Sequence, residues 1–387
     1  MKKTVSILGS TGSIGKSLLK IITRDKKNFK ILLLTANKNY KLLLRQAKLY
    51  NVKNIIISDK KFFEKAKFIN KNKKISIYNN FENLKKIFPK KADYTMSAIT
   101  GLEGLLPTIK IIKFTKKIAI ANKEPIICAW NLIKNELKKN KTKFMPVDSE
   151  HFSIWYALRE KNSASIERVY LTASGGSLLN VPFKKYKKLK LSQILNHPNW
   201  SMGKKITIDS SNMINKVFEI IEAKKLFNIS YEKLSIIIHP KSYIHAIIKF
   251  NDGMVKIIAH DTTMEIPIFN TLYDNEIKHY RTHKLNFKNL NNLDLRVASI
   301  NKFPLLKILK NLPEQNSLFE TILVSANDEL VRLFLNKKIS YTSIKKTLIK
   351  FLSLKEFNKY KKIQPKKIKE IIKLSKYVRL KISSISI

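Results

Sequence analysis

Cysteine is almost missing from this chain: Cys128 is the only one in 387 residues. A disulfide framework and a cysteine-based zinc cluster are both excluded. A reducing compartment, most simply a cytoplasm, is expected. Long apolar runs are missing too. None approaches the ~18 residues of a membrane span, so no membrane partner is expected. The start, Met1-Lys2-Lys3, is followed by five strand-like residues, Thr4 to Leu8, and then a glycine loop. That is too short for a signal-peptide core, and no Arg/Ser-rich transit segment is present. Acidic residues are scarce, 28 against 76 basic ones, for a formal charge of +48. Glycine is scarce as well: there are nine, and none lies beyond Gly253.

Such a charge raises the question of nucleic acid. Only eight of the basic residues are Arg, the side chain whose planar fork reads phosphates and bases bidentately. The lysines are spread along the whole chain rather than gathered in one arm. Lys, Asn and Ile, all with A/T-rich codons, are abundant together. The charge is therefore read as compositional drift, with no specific nucleic-acid partner expected. A basic field would still attract anionic substrates.

The hydrophobic fraction of 44% is ordinary for a globular protein, and the length suggests two or three domains. In the front part, Thr4–Leu8, Phe29–Thr35, Asn54–Ser58, Tyr94–Ala98 and Lys117–Ala121 are short β-branched runs separated by helical patterns. This predicts an α/β fold with a Rossmann-like doubly wound sheet over 1–147. Residues 148–275 mix strands (Val169–Ala173, Leu234–Ile238, Ala246–Phe250, Met254–Ala259) with helices (Ser149–Arg159, Ser210–Phe227), predicting an α+β domain. Residues 276–299 read as a connection. From 300 to 387 the 3–4 spacing over Phe303–Lys310, Ser317–Asn336, Tyr341–Leu352 and Gln364–Lys376 predicts a helical bundle.

Gly9-Ser-Thr-Gly12-Ser-Ile-Gly15 follows a strand and opens a helix, the context in which backbone N–H groups meet a pyrophosphate. An NAD site needs an acidic residue at the end of the next strand. Asn37-Lys38-Asn39 stand nearby instead, and a cation with two amides suits a 2′-phosphate, so NADP is expected.

Asp148-Ser149-Glu150-His151 brings two carboxylates together. In an extended segment they share a face, and a hard divalent cation would relieve their repulsion. A helix start with acidic residues at its positive end reads the same way. Further on, Asp209-Ser210-Ser211-Asn212 reads as a helix start, placing Asn215 and Glu219 at i,i+4 beside Lys216. A phosphate could take Ser210, Asn215 and Lys216, and Glu219 could complete a metal site. Thr172-Ala-Ser174-Gly175-Gly176 offers further hydroxyl and N–H donors. Between them, His197-Pro-Asn-Trp200-Ser-Met202-Gly203 has a rigid start, a large apolar middle and a glycine hinge, as a lid requires.

These segments resemble 1-deoxy-D-xylulose 5-phosphate reductoisomerases. The similarity rests on GSTGSIG at 9–15, ANKE at 121–124, PVDSEH at 146–151, LTASGG at 171–176, HPNWSMGKKITIDS at 197–210, MINK at 213–216 with Glu219, and HPKSYIHA at 239–246. The resemblance implies NADPH- and metal-dependent rearrangement and reduction of the sugar phosphate to 2-C-methyl-D-erythritol 4-phosphate, for non-mevalonate isoprenoid synthesis, by a homodimer. It implies Mg²⁺ or Mn²⁺, or Co²⁺, on Asp148, Glu150 and Glu219. Ser174, Ser210, Asn215 and Lys216 would clamp the phosphate and substrate, Lys123, Ser149, Glu150, His197 and Glu219 would contact the substrate, and Trp200, also touching it, would belong with Met202 to the flap. Gly9, Thr11, Gly12, Ser13, Ile14, Asn37, Lys38, Asn39, Asn122, Glu124, Gly203 and Met264 would line the NADPH site. His151 or a metal-bound hydroxyl is left open as the base. The chain departs from the family pattern at Val217-Phe218, at Lys241, and at His260–Glu265, where the family carries Gly-Glu-Pro-Asp-Met-Arg. Another NADP dehydrogenase, of the semialdehyde class, would need a nucleophilic cysteine. Cys128, set in Ile126-Ile127-Cys128-Ala129-Trp130, reads as core.

Overall fold

The computed structural model describes residues 1–70, 74–159, 161, 163–274, 276 and 278–386. The expected boundary residue 275 lies outside them. The chain forms two compact units. The first contains Met1–Pro125, Ile133–Asp148 and Met264–Tyr280; the second contains Ile126–Leu132, Ser149–Thr263 and Arg281–Ile387.

The first unit is built on seven parallel strands: β1 Lys3–Leu8, β2 Phe29–Ala36, β3 Asn54–Ile57, β4 Ser76–Tyr78, β5 Tyr94–Ser97, β6 Lys117–Ile120 and β7 Lys143–Pro146, in the order β4-β3-β2-β1-β5-β6-β7. Several are continuous apolar runs such as Ile55-Ile56-Ile57, buried at 0% exposure, as sheets covered on both faces require. The helices between them follow a 3–4 pattern: Ser13–Arg24 buries Leu18, Leu19, Ile21 and Ile22. Asn39 and Asp59 cap the next two helices by accepting from Leu42 N and Phe62 N. The order reverses beside β1, so the loop leaving β1 lies at the switch point where such sheets bind ligands. The late helix Glu265–Tyr273 also belongs here. Buried Tyr94 Oη and Thr271 Oγ1 are 2.9 Å apart, and Glu265 pairs with Lys20 at 2.5 Å.

The second unit carries a mixed sheet: β8 Ile166–Ala173, β9 Leu234–Ile238, β10 Ile244–Phe250, β11 Val255–Ala259 and β12 Arg296–Val297, ordered β11-β10-β8-β9-β12. β8 and β9 are parallel, so residues 174–233 form one crossover between them. Helices Ser149–Ala157 and Ile214–Phe227 press Ile154 and Ile220 into a core with Val169, Leu171, Ile248 and Phe250.

The expected helix Ser210–Phe227 is two helices, Lys204–Ser211 and Ile214–Phe227. Met213 between them is left-handed, φ 67°. Asp209–Ser211 thus closes the first helix rather than starting one. The capping side chain is Asn212, whose Oδ1 accepts from Ile214 N at 3.0 Å. In the tail, Phe319–Leu335 is buried nearly all round and packs on Tyr341–Leu352 and Ile368–Ser386. The expected helix over 303–310 is a 3₁₀ turn, Pro304–Asn311. Cys128 is 1% exposed, and burial pushes its thiol pKa up, as expected of a core cysteine. Among the described residues no helix is long and apolar enough to cross a membrane.

Candidate active site

The glycine loop is shaped by contacts that leave no room for side chains. Gly9 has φ +83°, and a Cβ there would lie 2.6 Å from Ala98 O. A Cβ on Gly15 would lie 2.5 Å from Ser10 Cα, so the helix start is drawn down onto the strand. Gly12 is the N-cap of Ser13–Arg24 and no side chain caps that helix. The first-turn N–H groups of Ser13 and Ile14 can thus serve an anion. Thr11 is half-buried and Ser13 exposed beside them. Asn37, Lys38 and Asn39 are exposed at the end of β2. Asn39 already caps a helix through Oδ1, which leaves its amide N–H₂ as the donor for a ligand. Asn122 is also structural: its amide donates to Ile99 O and to Gly101 O, and its oxygen caps Glu124 N at 3.3 Å. Glu124 is buried, Met264 is half-buried at the cap of Glu265–Tyr273, and Gly203 is exposed at the start of Lys204–Ser211. Gly203 has ordinary extended backbone and open space around its Cβ position, so the hinge expected there needs no glycine.

The candidate metal ligands come with ammonium partners. In the first unit, Lys123 and Asp148, both largely buried, form a 3.1 Å ion pair. In the second unit, Glu150 stands in the first turn of helix Ser149–Ala157 rather than in an extended segment. The helix-start alternative is what the chain forms. Ser149 Oγ donates to Glu150 Oε2 at 2.7 Å, and Lys216 Nζ donates to Glu150 Oε1 at 2.7 Å. Lys216 Nζ also donates to Glu219 Oε2, and Asn215 Nδ2 to Glu219 Oε1. Burial disfavours the Lys216 charge, but Glu150 and Glu219 outweigh it and hold that ammonium above the ordinary lysine range. Two carboxylates therefore converge on one cation position. Hard oxygen donors of this kind suit Mg²⁺ or Mn²⁺.

His197 has a defined tautomer. Its Nδ1 accepts from Asn199 N at 3.2 Å and Trp200 N at 3.0 Å, so the ring proton sits on Nε2 and points at Ser174 Oγ, 3.0 Å away. Burial lowers the His197 pKa to about 4, which keeps the ring neutral. Ser174 Oγ also accepts from Gly176 N at 3.0 Å. With two acceptor contacts made, its hydroxyl hydrogen is left to donate to a ligand. Ser210, half-buried at the end of Lys204–Ser211, lies across from this turn: a Cβ on Gly176 would be 2.7 Å from Ser210 O. Trp200 sets its edge on the His245 ring, centroids 6.1 Å apart, and Met202 is half-buried nearby in the chain.

His151, the candidate base, is joined around the site by His245, His260 and Lys205, to which the sequence gives no role. His151, fully buried, faces Glu219 O at 2.9 Å through Nε2 and Glu222 Oε2 at 3.5 Å through Nδ1. His245 stacks on His260 at 3.7 Å under Trp200, both kept neutral first by burial. Lys205 joins Asp209 at 3.2 Å to Asp328 at 3.0 Å and so ties the end of the 197–205 segment to Phe319–Leu335. The motif HPKSYIHA contained His239 and His245 without a role for either. A histidine inside an apolar strand such as Ile244–Phe250 was the available signal.

Similarity to known proteins extends over the whole chain. The family model for 1-deoxy-D-xylulose 5-phosphate reductoisomerase matches residues 5–130, that for its C-terminal domain matches 144–227, and a DXP reductoisomerase C-terminal domain model matches 261–381. A 1-deoxy-D-xylulose 5-phosphate reductoisomerase of Pelagibacter ubique is 57% identical over all of both chains. One from a Sulfurihydrogenibium species is 36% identical over 92% of each. The Zymomonas mobilis enzyme solved with NADPH superposes with a TM-score of 0.87 at 30% identity, covering 100% of this chain and 99% of that one. A DOX-P reductoisomerase solved with NADPH, fosmidomycin and magnesium gives 0.91 at 29% identity, covering 99% and 98%. With its length covered end to end at that identity and the motifs matched in order, this chain belongs to the 1-deoxy-D-xylulose 5-phosphate reductoisomerase family.

Proposed function

We propose that the chain converts 1-deoxy-D-xylulose 5-phosphate to 2-C-methyl-D-erythritol 4-phosphate, with NADPH as reductant and a divalent cation as Lewis acid. The observation that carries the reading is the convergence of Glu150 and Glu219 on one cation position, held by the same Lys216 and Asn215 that the motif assigns to phosphate. Relatives bearing this activity's name, matched over 100% and 92% of the chain, support it.

In this reading Asp148, Glu150 and Glu219 hold Mg²⁺ or Mn²⁺, with Co²⁺ as a substitute. Bound there, the ion would polarise the ketone and hydroxyl oxygens for the carbon-skeleton rearrangement. Gly9, Thr11, Gly12, Ser13 and Ile14 cradle the pyrophosphate, and Asn37, Lys38 and Asn39 take the 2′-phosphate. Asn122, Glu124, Gly203 and Met264 complete the nucleotide site, and bound NADPH would supply hydride. Ser174 offers its hydroxyl hydrogen to the substrate phosphate because His197 and Gly176 N fill its acceptor positions. Ser210, Asn215 and Lys216 complete that clamp, so remote binding energy orients the reacting carbons. Ser149 and Lys123 contact the sugar. The 197–205 segment, with Trp200 seated on His245, excludes water from the aldehyde before reduction. His151 has no exposed surface, so its work is to hold the Glu219 turn rather than to meet substrate. The chain divides its labour as a nucleotide part, a catalytic part and a helical part, acts as a homodimer, and works in the cytoplasm.

The test is NADPH oxidation on adding the sugar phosphate and Mg²⁺ to the purified protein. Turnover is expected, and Glu219→Gln should reduce it by ~10²–10³-fold, the scale of losing a charge-stabilising group. Full turnover in that variant would refute the metal role. A light-scattering mass equal to one chain would refute the dimer.

A further inference from the structure

We propose that Lys216 is a resident counter-cation that the divalent ion must displace, so that metal and phosphate load this site cooperatively. The inference rests on the metal and phosphate assignments above and adds how the two ligands are coupled.

In the ligand-free chain, the two donors assigned to phosphate are committed to the carboxylates assigned to metal. Lys216 Nζ lies 2.7 Å from Glu150 Oε1 and also donates to Glu219 Oε2, and the neighbouring Asn215 amide donates to Glu219 Oε1. Lys216 is 4% exposed and Glu219 1%. Lys123 and Asp148 repeat the pattern in the first unit.

An ammonium and a dication cannot both occupy the space between two carboxylates, because like charges at contact distance repel strongly where water is excluded. Loading a divalent ion onto Glu150 and Glu219 therefore expels the Lys216 ammonium. A buried ammonium stripped of its carboxylates needs another anion. The phosphate held by Ser174 and Ser210 supplies it. If metal frees Lys216 for phosphate, phosphate must favour metal by the same factor, since the coupling is reciprocal. A bare site would then hold metal weakly, and the substrate would complete it.

The experiment is Mn²⁺ binding to the full-length protein, followed by electron paramagnetic resonance of the free ion. It is run at constant ionic strength with no nucleotide or sugar, with and without inorganic phosphate below the precipitation limit, and corrected for the manganese that phosphate itself complexes. In the wild type, phosphate should tighten the Mn²⁺ Kd by about fivefold or more, the lower range of measured couplings. Lys216→Gln should bind Mn²⁺ more tightly than wild type without phosphate, and its phosphate effect should fall below about twofold, within the loss of coupling. Lys373→Gln, which removes the same charge from an exposed position on helix Ile368–Ser386, should keep the wild-type coupling. A wild-type Kd unmoved by phosphate would overturn the proposal without any variant. So would a Lys216→Gln protein that keeps the full phosphate effect. Mn²⁺ binding that Glu219→Gln leaves intact would instead overturn the underlying metal assignment. A wild type that binds no Mn²⁺ would remove both.

Discussion

His197 shows how much chemistry one hydrogen-bond pattern can fix. Two backbone N–H groups aim at Nδ1, so only the neutral ring with its proton on Nε2 satisfies all three contacts. Burial lowers its pKa to about 4 from an ordinary 6.5. Between those values the unfolded chain binds a proton that the folded chain does not. This residue therefore makes stability fall as pH drops from 6.5 towards 4, and contributes no further change below 4. Imidazole NMR should show one ring titrating near 4 and assigned to His197 by its absence in His197→Gln. A value near 6.5 would contradict the buried, doubly accepting ring. None of this was legible in the motif. The letters placed a histidine in a substrate loop, but its tautomer depends on the Asn199 and Trp200 backbone N–H groups and its charge on burial, which have no signature in residue type. Lys216 is a similar case. Its spacing beside Asn215 and Glu219 marked a shared helical face, but spacing alone could not tell that the ammonium would turn back onto Glu150, sixty-six positions earlier.

At the scale of elements, the glycines separate into two kinds. Gly176 has φ +69°, and a Cβ there would lie 2.6 Å from Ser211 Cα. Strain and backbone collision act together, so Gly176→Ala should destabilise the protein by at least ~2 kcal/mol. Gly203 meets nothing within 4 Å and has an ordinary backbone. Gly203→Ala should cost under ~1 kcal/mol, the scale of an N-cap preference. Denaturant midpoints of the two variants check both expectations, and similar losses at both would refute the distinction. The strands β1, β2, β3, β5 and β6 were readable because β-branched runs bounded by turns have few other uses. Strands β4 and β7 were not. Ser76–Tyr78 is three residues long, and Lys143–Pro146 begins with Lys and ends in Pro, so pairing with a neighbouring strand defines them rather than their own pattern. The joined helix expected over 210–227 failed for one reason. A single left-handed Met213 leaves the apolar periodicity intact on both sides, so the break is silent in the pattern.

For the whole molecule, the charge of +48 predicts association with DNA that is electrostatic and without a defined site size. A fluorescence-anisotropy titration should lose that binding steeply with salt, roughly 10³-fold or more between 50 and 200 mM if six or more phosphates are engaged. Saturable binding that survived the salt would favour a nucleic-acid role. The parallel pairing of β8 with β9 has a separate effect. All the residues of Ser174, His197, Trp200, Ser210, Asn215, Lys216 and Glu219 lie in the single connection between those two strands. The strands cannot zip until that long excursion has closed, and closing distant segments is slow. Refolding of this half should be rate-limited by the same step that assembles its catalytic groups, so that recovery of the sheet's circular-dichroism signal and recovery of activity share one time constant.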